Sequence, residues 1–239
     1  MNLGISHLAF NSNLQLKEVH AELRSLGINN LEIVFSKFKN KQELPNIPTL
    51  STQSILYNSN VTCFLDKNFL PYMETFTDKC CNMGIKTLVL GSPTCRNVFD
   101  LKKLIQNFSI LDEILRNKKL ILCIEPNAKK YQGKYFFNVD EIVAFINAGN
   151  FTNIKTMIDT HNLIEEQVNI LDTLNNYLDK IYHIHISEKN LGPLIPSQPH
   201  VDFSNELKKL GYSNLITYEA LNLIDIIEST KKFTNIYGN

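Results

Sequence analysis

The chain lacks several features that would assign it at once to a broad class of protein. Lys and Arg together number 24, as do Asp and Glu, and no long block carries one charge. Nothing in this balance favours binding to nucleic acid or to a membrane surface. No apolar stretch is long enough to span a bilayer, and no basic segment precedes the short apolar run at the N-terminus. We therefore expect neither a membrane helix nor a signal peptide.

Cysteine is scarce and shows no pairing pattern. The chain has five cysteines, an odd number, and no C-x-x-C pair. Cys123 lies inside a predicted buried strand. This usage is typical of reduced thiols rather than of a disulfide framework, and it predicts a cytoplasmic protein.

Short apolar runs alternate with amphipathic segments along the whole chain. The runs read as continuously apolar strands, which are typical of parallel sheets covered on both faces. The predicted strands are 3–10, 30–34, 49–56, 86–90, 120–124, 154–158, 181–184 and 215–218. The predicted helices are 14–26, 69–83, 99–117, 139–148, 164–178, 205–210 and 224–237.

This alternation predicts an α/β fold, a single (β/α)8 TIM barrel that spans residues 1–239 as one domain. Barrels of this kind take roughly 250 residues. A doubly wound open sheet is the alternative, but no G-x-G-x-x-G follows the first strand.

Four successive strands end in side chains that bind metals or transfer protons. They are followed by Glu125, Asp159, His185 and Glu219. Active sites of such barrels lie at the C-terminal ends of the strands. Because side chains alternate along a strand, Glu125 and His185 are expected to point into the barrel mouth, with His183 one layer deeper.

A lone acid at a strand end is more often a helix cap or part of a surface ion pair. Recurrence at four strand ends favours a metal site instead, because buried carboxylates that converge need a neutralising cation. An oxygen-rich set with one nitrogen suits Mn²⁺, Mg²⁺, Co²⁺ or Zn²⁺ and does not decide among them. His161, two residues after Asp159, remains open as a ligand, a substrate contact or neither.

Six segments carry a resemblance to a known family. They are LEIVFSK (31–37), QSILY (53–57), GSPTCR (91–96), IEPN (124–127), HIHISE (183–188) and GYSNLITYE (211–219). In this order and spacing they resemble the xylose isomerase-like (β/α)8 barrels, which include sugar isomerases, sugar 3-epimerases, inosose dehydratases and the endonuclease IV group.

The resemblance implies a divalent metal held by Glu125, Asp159, His185 and Glu219. It also implies that Glu125 and Glu219 are the acid/base pair of a sugar isomerase or epimerase. One glutamate removes the proton beside a carbonyl, the other returns it on the opposite face, and the metal stabilises the enediolate.

The chain departs from the ketose 3-epimerases in the residues that contact the sugar. Tyr131, Asn162 and Leu191 stand where that group has an acid, a histidine and an arginine. A different polar rim is therefore expected to contact the substrate, and Lys37 and Arg96 could bind a phosphate or carboxylate on it. The rim consists of Glu32, Lys37, Gln53, Arg96, Asn127, His161 and Glu188.

Other functions stay open on the same fold. An inosose dehydratase-like lyase would share the proton abstraction and then expel water. A barrel without turnover could bind a sugar-like ligand. A DNA repair endonuclease is disfavoured by the few histidines and the zero net charge. The expected partner is a small sugar or sugar derivative, with no nucleic acid and no membrane. Barrels of this family often dimerise, which leaves a homodimer open.

Overall fold

Eight parallel strands close into a barrel in the computed structural model, which describes residues 2–10, 16–37 and 48–238. Each strand pairs with the next in sequence, and the last pairs with the first. The strands are β1 (Asn2–Ser6), β2 (Ile28–Ile33), β3 (Ser51–Thr52), β4 (Thr87–Leu90), β5 (Ile121–Ile124), β6 (Ile154–Asp159), β7 (Ile181–Ser187) and β8 (Leu215–Glu219). The predicted barrel is confirmed.

Helices cover the outside of the barrel. They are α1 (Leu16–Ser25), α2 (Phe69–Asn82), α3 (Leu101–Lys118), α4 (Val139–Gly149), α5 (Thr160–Glu165), α6 (Ile170–Tyr177), α7 (Gln198–Lys209) and α8 (Ile226–Tyr237). Between β2 and β3 the described residues contain a 3-10 turn, Phe35–Lys37, and no α-helix.

Two helix predictions were wrong in their bounds. The helix predicted over 164–178 is two helices, because Gln167 adopts a left-handed φ of 56° and the Asn169 side chain starts α6 by capping Leu171 and Asp172. The helix predicted over 205–210 begins at Gln198 instead. Pro199 lies in the first turn of this helix, where proline is well tolerated.

Two strands are shorter than predicted. β1 stops at Ser6, whose Oγ accepts from the Leu8 nitrogen at 3.1 Å and begins a 3-10 turn. β3 has only two residues, and the left-handed φ of 54° at Ser54 prevents its extension. The apolar run 55–56 belongs to the buried loop that follows, so its hydrophobicity indicates burial rather than a strand.

Apolar side chains of strands and helices form the main core outside the barrel. A small separate cluster consists of Val89, Cys123 and Met157. Cys123 shares a strand face with Glu125, and Met157 shares one with Asp159. This cluster therefore forms the apolar floor beneath the acids at the mouth.

All five cysteines are free in the structure. In the described part of the chain, no helix is both long and apolar enough to cross a membrane.

Candidate metal centre

Four strand ends bring three carboxylates and one imidazole together at the mouth. Glu125, Asp159, His185 and Glu219 each offer one ligand atom, and these atoms all lie within 4.8 Å of one another. His185 Nδ1 lies 3.2 Å from Glu219 Oε2 and 3.6 Å from Glu125 Oε1. The strand register explains the grouping, since Asp159 is paired with His185 and Ser187 with Glu219.

The electrostatics at Asp159 show that these carboxylates repel one another. Asp159 is buried, and its Oδ1 accepts from the main-chain nitrogen of Asn162 at 2.7 Å and from Ser187 Oγ at 3.0 Å. Burial and the charges of Glu125 and Glu219 nevertheless raise the pKa of Asp159 well above its usual value. Three carboxylates therefore share one imidazole, and two of them disfavour the ionised form of the third.

His185 supplies the single nitrogen of the group. Its Nε2 lies 2.7 Å from Glu32 Oε1, while Nδ1, on the side of the acids, is buried and makes no well-formed hydrogen bond to a described residue. Burial alone would lower the pKa of His185, but Glu32 and Glu219 raise it well above its usual value. A divalent cation fits this donor set, since it would use the Nδ1 lone pair and neutralise the carboxylates.

Glu32, expected among the substrate contacts, lies deeper in the barrel. Its side chain has no exposed surface, and Oε2 is 2.9 Å from His183 Nε2. Burial alone would raise the pKa of Glu32, but the charge of His185 and the contact with His183 hold it below its usual range. Glu32 therefore faces two histidines rather than the space that a substrate would fill.

Arg96 was expected to bind a substrate anion and instead supports the ends of β4 and β5. Its side chain is completely buried, and burial lowers its pKa to about 10. The guanidinium donates to the carbonyls of Phe136, Leu90, Gly91 and Glu125 at 2.6–3.2 Å.

Gly91 packs against the acid that follows β5. A Cβ at this position would lie 2.2 Å from Glu125 Oε2. The glycine thus leaves room for the carboxylate to reach the group.

Two of the expected substrate contacts lie on the side of β1 to β3. Gln53 is buried and donates from Nε2 to Ser6 Oγ at 2.6 Å. Lys37 is exposed, with Nζ 3.5 Å from the Leu8 carbonyl and 3.4 Å from the Phe10 carbonyl.

Asn127 and His161 lie beside the acids. Asn127 follows Glu125 by two residues, and its buried Oδ1 has no hydrogen-bond partner among the described residues. The main-chain nitrogen of His161 donates to Ser187 Oγ, the same hydroxyl that contacts Asp159. The His161 ring lies 2.9 Å from Lys130 Nζ, and burial followed by the Lys130 charge lowers its pKa.

Glu188 contacts residues other than the four ligands. Its Oε1 accepts from the Ile195 nitrogen at 3.0 Å and lies 3.1 Å from His200 Nε2. It lines a cavity of about 270 Å³ together with apolar side chains that include Ile164 and Phe203.

Sequence reasoning missed three residues that shape this site, Gly91, Ser187 and Lys130. Gly91 and Ser187 stand inside family-like motifs, so their position was available although their contacts were not. Lys130 lies in a loop with no motif, and only the fold brings it to His161.

Comparison with known proteins places the chain among related barrels. A family model for the xylose isomerase-like TIM barrel matches residues 67–234. A D-psicose 3-epimerase from Enterocloster bolteae is 23% identical over 121 residues, which make up 50% of this chain and 40% of that protein. The chain thus matches less than half of that relative's length.

Solved structures share the fold over the full chain. A 3-keto-D-glucoside 4-epimerase from E. coli superposes with a TM-score of 0.78 at 14% identity and 100% coverage of both chains. A D-psicose 3-epimerase from Clostridium cellulolyticum H10, solved with D-tagatose, superposes with a TM-score of 0.75 at 15% identity, covering 100% of this chain and 92% of that one. With the family match over most of the chain and the closed barrel itself, these likenesses lead to one conclusion: the protein belongs to the xylose isomerase-like TIM barrel family.

Proposed function

We propose that the chain is a metal-dependent epimerase or isomerase of a sugar or sugar derivative. The observation that carries this proposal is the convergence of Glu125, Asp159, His185 and Glu219 at the barrel mouth, where three carboxylates face one imidazole. The relatives support it, because those reported above are sugar epimerases by name.

Glu125, Asp159, Glu219 and the Nδ1 atom of His185 would hold the cation. A divalent metal would supply Lewis-acid polarisation of a substrate carbonyl. Mn²⁺, Co²⁺, Mg²⁺ and Zn²⁺ all suit three carboxylates and one imidazole. Ser187 and the Asn162 nitrogen orient Asp159 for this role through their hydrogen bonds to Oδ1.

Glu125 and Glu219 are the proposed acid/base pair. They follow β5 and end β8, which are three strands apart around the barrel, so they approach a molecule at the mouth from different sides. One carboxylate can take a proton from the carbon beside a carbonyl while the other returns a proton to the opposite face. This placement suits inversion or transfer of a hydrogen at one carbon.

Substrate contacts are proposed for Asn127 and His161, because both adjoin the ligands. The buried, unpartnered Oδ1 of Asn127 can accept from a hydroxyl, and His161 brings Lys130 to the same rim. Lys37 and Gln53 remain candidates on the opposite side of the mouth. The geometry gives Glu32, Arg96 and Glu188 other contacts.

Solvent exchange tests the proposed function. Protein loaded with each of the four cations is incubated in D₂O with ketoses, keto-glucosides and their phosphates. We expect deuterium at the carbon beside the carbonyl of at least one compound, with the rate falling by about 100-fold or more in Glu125→Gln and Glu219→Gln.

Asp112→Asn is the matched control. Asp112 is a buried acid at the other end of the barrel, where it accepts from the nitrogens of Asn153 and Ile154. The control variant should keep the exchange rate of the wild type. Loss of water with formation of an enone would indicate a dehydratase instead, and no exchange together with no bound metal would contradict the proposal.

A further inference from the structure

A second acid–histidine cluster lies directly beneath the candidate metal ligands. Glu32, His183 and His185 have no exposed surface, and the Glu32 carboxylate lies between the two imidazoles. Glu32 is on β2 and the histidines are on β7, strands that are not neighbours in the sheet. The contact therefore crosses the barrel interior.

The two contacts of the Glu32 carboxylate differ in kind. Glu32 Oε1 lies 2.7 Å from His185 Nε2, which is a hydrogen-bond contact, whereas Oε2 lies 2.9 Å from His183 Nε2 as an ion-pair contact without hydrogen-bond geometry. The separation at His185 is that of a charge-assisted N–H···O⁻ hydrogen bond.

We infer that Glu32 is a positioning residue that keeps a proton on His185 Nε2 and so turns Nδ1 toward Glu125, Asp159 and Glu219. This inference rests on the proposed metal centre. The two nitrogens of an imidazole have distinct roles, and the hydrogen bond made by one decides which the other can play. A carboxylate behind a metal-binding histidine fixes both the tautomer and the ring orientation.

His183 holds the other side of Glu32. Its ring stands edge-on to that of His185, with centroids 5.0 Å apart and an interplanar angle of 79°. With one imidazole at each oxygen, Glu32 has little freedom to rotate. The pair of Glu32 and His183 thus fixes the direction in which His185 presents Nδ1.

Metal affinity tests the inference without a substrate. Metal-free wild type and Glu32→Gln are titrated with Mn²⁺ by calorimetry, and the shift of the unfolding midpoint with Mn²⁺ is measured in parallel. We expect Glu32→Gln to bind Mn²⁺ about 10- to 100-fold more weakly, as for other partners of metal-bound histidines. Equal affinity in both proteins would overturn the inference.

Ser51→Ala separates positioning from general loss of stability. Ser51 is also fully buried, and its Oγ accepts from Asn30 Nδ2 at 3.1 Å. Asn30 lies on β2, two residues before Glu32. This variant should unfold more easily yet bind Mn²⁺ like the wild type. An equal loss of affinity in Ser51→Ala would reduce Glu32 to a structural residue.

The tautomer can be observed directly in the wild type, which covers the case in which Glu32→Gln does not fold. In ¹⁵N-histidine-labelled protein loaded with Mg²⁺ or Zn²⁺, the His185 signals are those lost in His185→Gln. They should show a protonated Nε2 and an unprotonated Nδ1, and the reverse pattern would overturn the inference. A wild type that binds no divalent cation refutes the proposed function instead, and a proton on Nε2 in that protein would still support the Glu32 contact.

Discussion

His185 lies between two groups of charged residues with opposite balances. The upper group, Glu125, Asp159 and Glu219, sets three carboxylates against one imidazole at 3.2 Å or more. The lower group, Glu32 and His183, joins His185 in a set of one carboxylate and two imidazoles. The two Glu32 oxygens lie 2.7 Å from His185 Nε2 and 2.9 Å from His183 Nε2. The contacts of the lower set are short and its charges are balanced, whereas the contacts of the upper set are longer and its carboxylates outnumber its imidazole.

The difference distinguishes buried charge that supports the fold from buried charge that, under the proposed function, would bind a cation. A compensated group loses stability when one partner is removed, because the remaining charge is left buried and unpaired. Like charges held together destabilise the protein until a cation binds, so removing one of them relieves repulsion. Substitutions in the two kinds of region should therefore change the free energy of unfolding in opposite directions.

Arg96→Met should give the largest effect, because Arg96 is a buried charge that supports the fold and its loss leaves four main-chain carbonyls without their donor. Its guanidinium donates to these carbonyls without solvent contact. We expect the free energy of unfolding, measured in urea, to fall by about 3–5 kcal/mol. Arg96→Lys keeps the charge but not the planar fork, and it should lose less. Unchanged stability with a specific loss of affinity for an anionic substrate would restore the role expected from sequence.

Asp159→Asn should give the opposite result in the metal-free protein. Asparagine can still cap α5, as Asp159 does through Asn162, and it removes one of the repelling charges. The metal-free protein should become more stable by about 1 kcal/mol. Metal affinity, measured by calorimetry, should fall by about 100-fold or more, beyond the 10- to 100-fold loss typical of residues behind a ligand.

Asp112→Asn is the control for Asp159→Asn. Asp112 lies on α3 and contacts the start of β6, whereas Asp159 ends that strand. An amide there would put a donor against main-chain nitrogens that now donate to the carboxylate. It should destabilise the protein by about 1–3 kcal/mol and leave metal affinity unchanged. Parallel behaviour of the two variants would refute the distinction between the regions.

Gly91→Ala tests the upper group without changing a charge. The new methyl would displace the Glu125 carboxylate, because its Cβ would lie 2.2 Å from Oε2. The end of a glutamate can move, so stability should change little while metal affinity falls by about tenfold. Gly133→Ala meets only ordinary contacts, the nearest 3.4 Å away, and should bind metal like the wild type. Equal affinities in both variants would show that Glu125 binds from another position.

The sequence predicted the barrel and the four residues that meet at its mouth, because both follow from patterns along single strands. Continuous apolar runs indicated strands, and parallel strands bring their C-terminal ends to one edge. Glu32 could not be placed in the same way. Its place in the family-like segment 31–37 suggested a substrate contact, but its partners are two histidines across the barrel, more than 150 residues away along the chain.

Arg96 and Glu188 show the same limit. Both carry charges in family-like motifs, and a charged side chain in a loop after a strand is commonly taken as a ligand contact. Their partners are main-chain carbonyls in one case and His200 in the other, and these contacts depend on how loops fold over the barrel. Local pattern identifies which residues are unusual, whereas the tertiary contacts decide between support and ligand binding.

The pair of Glu188 and His200 should have the smallest effect on the free energy of unfolding. It tests a carboxylate–imidazole contact outside the two groups around His185. Burial alone would raise the pKa of Glu188, but the hydrogen bond from His200 lowers it below its usual value. A carboxyl with a depressed pKa adds stability above its unfolded pKa of 4.5, and that stability is lost as the pH falls. Between pH 7 and pH 4 the wild type should therefore lose more stability than Glu188→Gln.

The difference should be less than about 1 kcal/mol, because the pair is partly exposed to solvent. Urea midpoints of both proteins at pH 7 and pH 4 measure it, and all other acids cancel in the comparison. His200→Gln should show the same reduced pH dependence, since it removes the partner of Glu188. If both variants show the same pH dependence as the wild type, the contact between Glu188 and His200 does not contribute to the free energy of unfolding.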